Sequence, residues 1–273
     1  MTAPFSDRDF AALTAKIARD RGFLCGSYKE KCLRRRIAVR MRARGVLTYP
    51  DYARVLDSDT AEYDRLLDAL TINVTKLFRN WSVYELLAEK VVPVLWQHNT
   101  RPIHVWTAGC SSGEEAYSLA ILFHQYAAAH GQLREIDRVD ILGTDIDRSS
   151  LTAAECGQFP ESGFEETPCE LKERYFSNEP PYTIVPAVKK LVRFQRRDLI
   201  DEFPSVAGGF QLITCRNVLI YFDRDTQERL LGRFHDALAP GGFLVLGKVE
   251  TLLGSVRSRF AAVDARERIF RRV

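Results

Sequence analysis

Apolar positions in the first 70 residues recur at helical spacing. After Asp7, the residues Phe10, Leu13, Ile17 and Ala18 mark one face of a helix. Between Lys29 and Arg44, Leu33, Ile37 and Met41 step by four and give one narrow apolar seam. Gly45 supplies a stop, Thr48-Tyr49-Pro50-Asp51 opens a third short helix, and a fourth begins near Thr60 with Leu66, Leu67 and Leu70 inward. Beyond about residue 100 the pattern changes. Ile103 to Thr107 is a buried-strand run, followed by Gly109-Cys110-Ser111-Ser112-Gly113 and a helix from Glu114 to about Ala129. A second strand, Val139 to Gly143, ends in Thr144-Asp145 and precedes a helix over 149–156. Residues 157–195 read as irregular, with short β-like pieces. Phe210 to Cys215 is a strand, 224–238 a helix, and Pro240-Gly241-Gly242 leads into a strand over 243–247. Alternating strands and helices predict a doubly wound, Rossmann-like α/β sheet. The expected organisation is a small all-helical domain over 1–72, a linker and connecting helix over 73–100, and the Rossmann-like domain over 101–273.

Composition fits a globular chain with ample core, 46% apolar and 27% charged. No uncharged apolar run of about 18 residues is present, which argues against a membrane span. Met1 to Arg8 lacks the basic start and apolar stretch of a signal peptide. Six scattered cysteines without a CxxC pair point away from disulfides and zinc and toward reduced thiols in a cytoplasm. The net charge of +3 says little, but its distribution is uneven. Residues 1–70 hold fourteen of the 39 basic and ten of the 36 acidic residues. Lys29, Lys31, Arg34, Arg35, Arg36, Arg40, Arg42 and Arg44 face the single acid Glu30 within one helix. That surplus is not expected to be satisfied internally, so it predicts an acidic partner, with a solvated face as the plain alternative.

The glycine-rich turn after the first strand lacks both the Gly-Lys-Ser/Thr of a P-loop and the G-x-G-x-x-G of a dinucleotide site. Glu114 and Glu115 open the following helix where a pyrophosphate would sit, so a cationic or zwitterionic ligand suits the turn better. S-adenosylmethionine, with a sulfonium, an ammonium and no phosphate, meets that description. Asp145, at the carboxyl end of the second strand, is placed to accept hydrogen bonds from a ribose diol, or else to cap the next helix.

Four segments closely resemble the CheR family of chemotaxis-receptor methyltransferases. They are Thr71 to Arg79 (TINVTKLFR), Trp106 to Ser118 (WTAGCSSGEEAYS), Gly143 to Asp147 (GTDID) and Cys215 to Phe222 (CRNVLIYF), in family order. The resemblance runs from about residue 5 to 271. It implies S-adenosylmethionine-dependent esterification of glutamate side chains on a receptor's cytoplasmic helices, with S-adenosylhomocysteine as product and no metal. Cofactor contacts are implied at Asn73, Thr75, Arg79, Gly109, Glu115, Asp145, Asp198, Leu199, Arg216 and Asn217. Arg79 and Tyr221 fall where the family has residues near the methyl-transfer centre. A small β-subdomain is implied near 157–195. The basic helix, through Arg34, Arg35, Arg36, Arg40, Arg42 and Arg44, would dock the glutamate-rich receptor helix.

The chain departs from the family at Gly247-Lys248-Val249-Glu250, where members often carry Gly-His-Ser-Glu. A missing histidine is tolerable because a glutamate nucleophile, with a reference pKa of ~4.3, is already ionised at neutral pH. In-line transfer then rests on orientation and desolvation. Members that grip a receptor's C-terminal tether have a glycine-containing extension in the β-subdomain. Here Tyr175 to Val185 has no glycine and two prolines, which predicts independence from a tethering peptide. The expected protein is a monomer without membrane insertion. Rival readings are a nucleic-acid or small-molecule methyltransferase and a non-catalytic S-adenosylmethionine-binding regulator. Against nucleic acid stand Arg216-Asn217-Val218 in place of Asn/Asp-Pro-Pro-Tyr/Phe and the lack of aromatics in the basic stretch.

Overall fold

A computed structural model of the chain describes residues 6–71, 74–98 and 102–273. It divides into two compact units, Met1–Ile72 with Ile220–Thr226, and Asn73–Leu219 with Gln227–Val273.

The first unit holds α1 (Asp7–Arg21), α2 (Glu30–Ala43), α3 (Tyr49–Ser58) and α4 (Thr60–Leu70). Ser6, Thr48 and Asp59 cap the starts of α1, α3 and α4 by accepting from the N–H groups of Asp9, Asp51 and Glu62. The seam of Leu33, Ile37 and Met41 is buried, as its four-residue step requires. It belongs to a core with Phe10, Leu13, Ile17, Tyr49, Tyr52 and Leu66. Residues 220–226 join this unit through an isolated bridge between Tyr28 and Phe222.

The surplus of cations on α2 is smaller than the sequence suggests, because acids and carbonyls from other helices reach Arg34, Arg36, Arg40 and Arg44. Arg40 makes a paired hydrogen bond to Glu62, at 3.0 and 2.7 Å, and Glu62 is fully buried. Arg44 pairs with Asp59 at 3.0 Å, and Arg34 with Glu30 and Asp7 at 2.6 and 2.7 Å. Arg36 donates to the carbonyls of Ala69 and Leu70, closing the end of α4. Among the described residues Arg42 reaches only the Ala38 carbonyl of its own helix. Lys31, Arg35, Val39 and Arg42 are the exposed positions around the middle of α2.

The larger unit begins with the loop 74–80. A helical arm follows: α5 (Trp81–Leu86), a wider π turn over Leu87–Val91, and α6 (Val92–His98). Then come β1 (Ile103–Ala108), α7 (Glu114–Ala129), β2 (Val139–Asp145) and α8 (Arg148–Cys156). The insertion carries β3 (Gln158–Phe159), α9 (Cys169–Tyr175), β4 (Tyr182–Thr183) and α10 (Pro186–Lys189). β5 (Val192–Arg196), β6 (Phe210–Cys215), α11 (Arg224–Ala237), β7 (Leu238–Leu246), β8 (Phe260–Asp264) and β9 (Ile269–Arg272) complete the chain. The main sheet has the order β5-β2-β1-β6-β7-β9-β8. β5, β2, β1, β6 and β7 run parallel, while β9 pairs antiparallel with both β7 and β8. β1 and β6 are buried nearly end to end, which is why they read as unbroken apolar runs rather than as alternating ones.

Within 157–195 the insertion is smaller than expected. Its β-structure is one two-stranded antiparallel sheet, Gln158 opposite Thr183 and Phe159 opposite Tyr182. Val192 to Arg196 lies instead on the edge of the main sheet, paired with β2. No helix among the described residues is long and apolar enough to cross a membrane.

Candidate functional site

Successive loops at the carboxyl ends of β5, β2, β1 and β6 stand side by side, because those strands are neighbours in the sheet. The order reverses at β1, which pairs with β2 on one side and β6 on the other, so a crevice opens above it. The glycine-rich turn closes tightly: the N–H groups of Gly109 and Cys110 both donate to the Thr144 carbonyl, at 2.8 and 3.0 Å. Gly109 has φ +76, and a Cβ there would lie 2.5 Å from the Val218 side chain. No other residue fits. Ser111 follows at φ +48, and its buried hydroxyl has no partner among the described residues.

Asp145 stands at the end of β2. One carboxylate oxygen accepts from Ser111 N at 2.8 Å and the other from Asp147 N at 3.0 Å. Burial raises its pKa, against the pull of those two N–H groups. The helix cap that competed for this residue is Asp147, which accepts from Ser149 N. Asp145 is therefore free of that duty. Its carbonyl accepts from Arg197 N, which draws Asp198 and Leu199 to the same end of the sheet. Asp198 in turn accepts from Ile200 N, and burial raises its pKa.

The two glutamates that open α7 have different partners. Glu114 is buried, which raises its pKa, and accepts from the hydroxyls of Ser112 and Thr75. Glu115 accepts from the Thr214 hydroxyl and pairs with Arg216 at 3.1 Å. Arg216 also donates to the Arg79 carbonyl at 2.8 Å and to Asn80 Oδ1 at 3.2 Å. Asn217 has φ +62, and its N–H donates to the buried carboxylate of Glu250 at 3.0 Å, beside Gly247 N at 2.6 Å.

Loop 74–80 is tied on two sides. Phe78 N donates to Ser118 of α7 at 2.9 Å, while Leu77 N donates to the Gly163 carbonyl and Asn80 N to Glu166 of the insertion. Arg79 Nη1 donates to the Val74 carbonyl at 2.7 Å. Among the described residues, five non-glycine residues have positive φ, and four of them are Phe78, Asn80, Ser111 and Asn217. Such backbone strain persists only where surrounding contacts over-determine it, and here it concentrates around one crevice.

The structure thus gathers Thr75, Arg79, Gly109, Glu115, Asp145, Asp198, Leu199, Arg216 and Asn217 within the larger unit. Asn73 lies outside the described residues. Tyr221 is carried by the helical unit, where its ring lies 5.3 Å from the Arg36 guanidinium and its carbonyl accepts from Lys29 N. Sequence reasoning missed Ser118, Thr214, Tyr84 and Glu250 as parts of the scaffold. Ser118 closes the Trp106 to Ser118 motif and Glu250 is the retained end of the motif that departs at 248–249, whereas Thr214 and Tyr84 carried no signal. Lys248 and Val249 are themselves exposed, Val249 by 75%. The missing His-Ser pair thus falls on the outside of a turn whose inward contact Glu250 keeps. Among the described residues no cluster of three or more His, Cys, Asp or Glu could hold a metal.

Residues 73–269 match the family described as CheR methyltransferase, SAM binding domain, and residues 8–71 match CheR methyltransferase, all-alpha domain. A chemotaxis protein methyltransferase of Listeria innocua is 33% identical over 251 residues, 92% of each chain. Chemotaxis protein methyltransferase 1 of Pseudomonas aeruginosa is 32% identical over 254 residues, 90% of this chain and 91% of that one. Among solved structures, the plantazolicin methyltransferase in complex with SAH overlays with a TM-score of 0.36 at 12% identity, over 62% of this chain and 46% of that one.

Proposed function

Because the chain belongs to the CheR methyltransferase family, we propose that it esterifies glutamate side chains on the cytoplasmic helices of a chemotaxis or related sensory receptor. The observation that carries the reading is the acidic crevice at the sheet's switch point, with Glu115 in the first turn of α7 and Asp145 at the carboxyl end of β2, bonded to Ser111 of the strained turn between β1 and α7. Its residues fit S-adenosylmethionine. Carboxylates stand where a phosphate ligand would need cations, Ser111 offers an unspent hydroxyl, and Gly109 leaves no Cβ in the way. Asp145 would take the ribose hydroxyls and Glu115 the ammonium end, with Thr75, Asp198, Leu199 and Asn217 around them. When bound, S-adenosylmethionine supplies a methyl group on a sulfonium.

The chain's own residues then have a limited task. A receptor glutamate is ionised at neutral pH, so no general base is required. Arg79, whose carbonyl accepts from Arg216, would hold one carboxylate oxygen by a charge-assisted bond. Tyr221 has an orienting role of the same kind through its hydroxyl. Positioning lowers the barrier by holding a near-attack geometry. Excluding water favours a step in which opposite charges cancel. Lys31, Arg35 and Arg42, the cations on the exposed side of α2, supply the charge that steers an acidic receptor helix. The short segment 175–185 makes the enzyme independent of a tethering peptide, and the chain works in the cytoplasm as a monomer.

The test is transfer of labelled methyl from S-adenosylmethionine to a receptor cytoplasmic fragment. The label is expected in protein and released by mild base, as an ester. Label in nucleic acid, or protein label stable to base, would replace this reading with another methyltransferase class.

A further inference from the structure

Arg216 makes more of its guanidinium than a cofactor contact needs. Its side chain is 3% exposed. One terminal nitrogen donates to Glu115 and to the Tyr84 hydroxyl at 3.1 and 3.3 Å, the other to the Arg79 carbonyl and Asn80 Oδ1 at 2.8 and 3.2 Å. Nε is shut away from the surface with no partner among the described residues, so it offers nothing to a ligand either. Every bond of this fork turns back on the protein, and two of the four end on the turn that carries Arg79. That turn needs holding: Phe78 and Asn80, on either side of Arg79, sit at φ +53 and +61. Their N–H groups are fixed by Ser118 and Glu166, and the carbonyl between them by Arg216. The planar, five-donor guanidinium is the one side chain that can span a carboxylate, a phenol, an amide oxygen and a main-chain carbonyl at once.

We propose that Arg216 is a positioning residue for methyl transfer: by holding the Arg79 carbonyl and the Asn80 side chain it sets the left-handed turn that aims Arg79, and by sharing Glu115 it ties that aim to the cofactor end of the crevice. This rests on the function proposed above. It moves Arg216 from contact with the cofactor to control of the residue facing the receptor carboxylate.

Lysine keeps the charge beside Glu115 but cannot span the four acceptors. Arg216→Lys is therefore expected to lower kcat at least 30-fold on a receptor fragment, with cofactor Kd changed less than 3-fold. In an Arg79→Ala background the same change is expected to cost less than 3-fold, because what Arg216 positions is already gone. Equal losses in both backgrounds would make Arg216 merely structural and overturn the proposal. Hydrogen exchange gives a readout that needs no receptor. Arg216→Lys should speed exchange of the 78–82 amides at least 10-fold while leaving the first turns of α7 protected. Unchanged exchange over 78–82 with cofactor affinity down 10-fold or more would return Arg216 to a plain cofactor contact. If Arg216→Lys does not fold, Asn80→Gly keeps the left-handed backbone, loses one acceptor, and enters the same cycle with a smaller kcat loss of 3- to 10-fold. A wild type that labels no glutamate would sink the functional reading, and the exchange measurement would then decide this one alone.

Discussion

Asp145 is the residue at which charge, backbone and ligand chemistry meet. Its two oxygens brace Ser111 and Asp147, and burial raises its pKa as it does that of Glu114 nearby. Asp145→Ala should weaken cofactor binding by on the order of 1–3 kcal/mol, read by calorimetry, since it removes bonds to the ribose. Unchanged affinity would take Asp145 out of the site. The raised values also fix a pH dependence. A cationic cofactor binds the ionised carboxylates, so affinity should be complete near neutrality and fall on acidification. The fall should begin above the ordinary carboxylate values of 3.8 and 4.5, and Asp145→Asn should flatten it. Arg79→Ala should depress turnover far more than melting temperature, because among the described residues its side chain makes one exposed bond, to Val74. A sharp fall in melting temperature with activity per folded molecule retained would make it structural. Gly109, Glu115 and Asp145 were legible in the sequence because they sit in contiguous motifs. Thr214 and Tyr84 were not, because their partners lie 99 and 132 positions away and meet them only through the fold.

The helix α2 shows where periodicity informs and where it misleads. Its apolar seam placed the buried face correctly, but the residues beside that seam are not thereby solvent-facing. Arg40 flanks Met41 and ends on the fully buried Glu62, which also accepts from Tyr52 at 2.8 Å. Sequence spacing shows only the acid within α2, whereas Glu62 arrives on α4. Arg40→Ala should therefore destabilise the helical unit by about 3 kcal/mol, as expected when one partner of a buried ion pair is removed. Arg42→Ala should leave the melting temperature nearly unchanged. Equal melting temperatures for the two would contradict the pairing. Although burial opposes it, Arg40 and Tyr52 hold the Glu62 carboxyl below its usual 4.5. The stability it contributes is complete above that value and is lost as pH falls through the lowered one. The C-terminal hairpin of β8 and β9 escaped the sequence reading for a related reason. β8 at the sheet edge and β9 beside it have only five and four residues, and β9 ends in Arg271 and Arg272, so they carry too little alternation to separate from loop.

On the proposed function, the two units divide the work by charge. The crevice of the larger unit is lined by carboxylates suited to a cation, and α2 of the helical unit offers exposed arginines suited to an acidic helix. Reversing Arg35 and Arg42 to Glu should raise the receptor KM without altering cofactor affinity. Wild-type rates at low receptor should fall between about 0.05 and 0.5 M salt, as the Debye length shrinks from roughly 14 to 4 Å, and the reversed variant should respond less. Unchanged KM with binding of RNA at physiological salt would assign α2 a different partner. Removing the receptor's C-terminal tail should leave the rate intact. A large loss would show that the short segment 175–185 grips a tether after all.

On the proposed function, a receptor carboxylate is the group that receives the methyl. Tandem mass spectrometry of a receptor fragment, after reaction with methyl-labelled S-adenosylmethionine, tests it most directly. Label is expected on glutamate side chains, lost where those glutamates are replaced by glutamine and released by mild base. Label that persists on the glutamine-substituted fragment, or maps to nitrogen or nucleic acid, would contradict it.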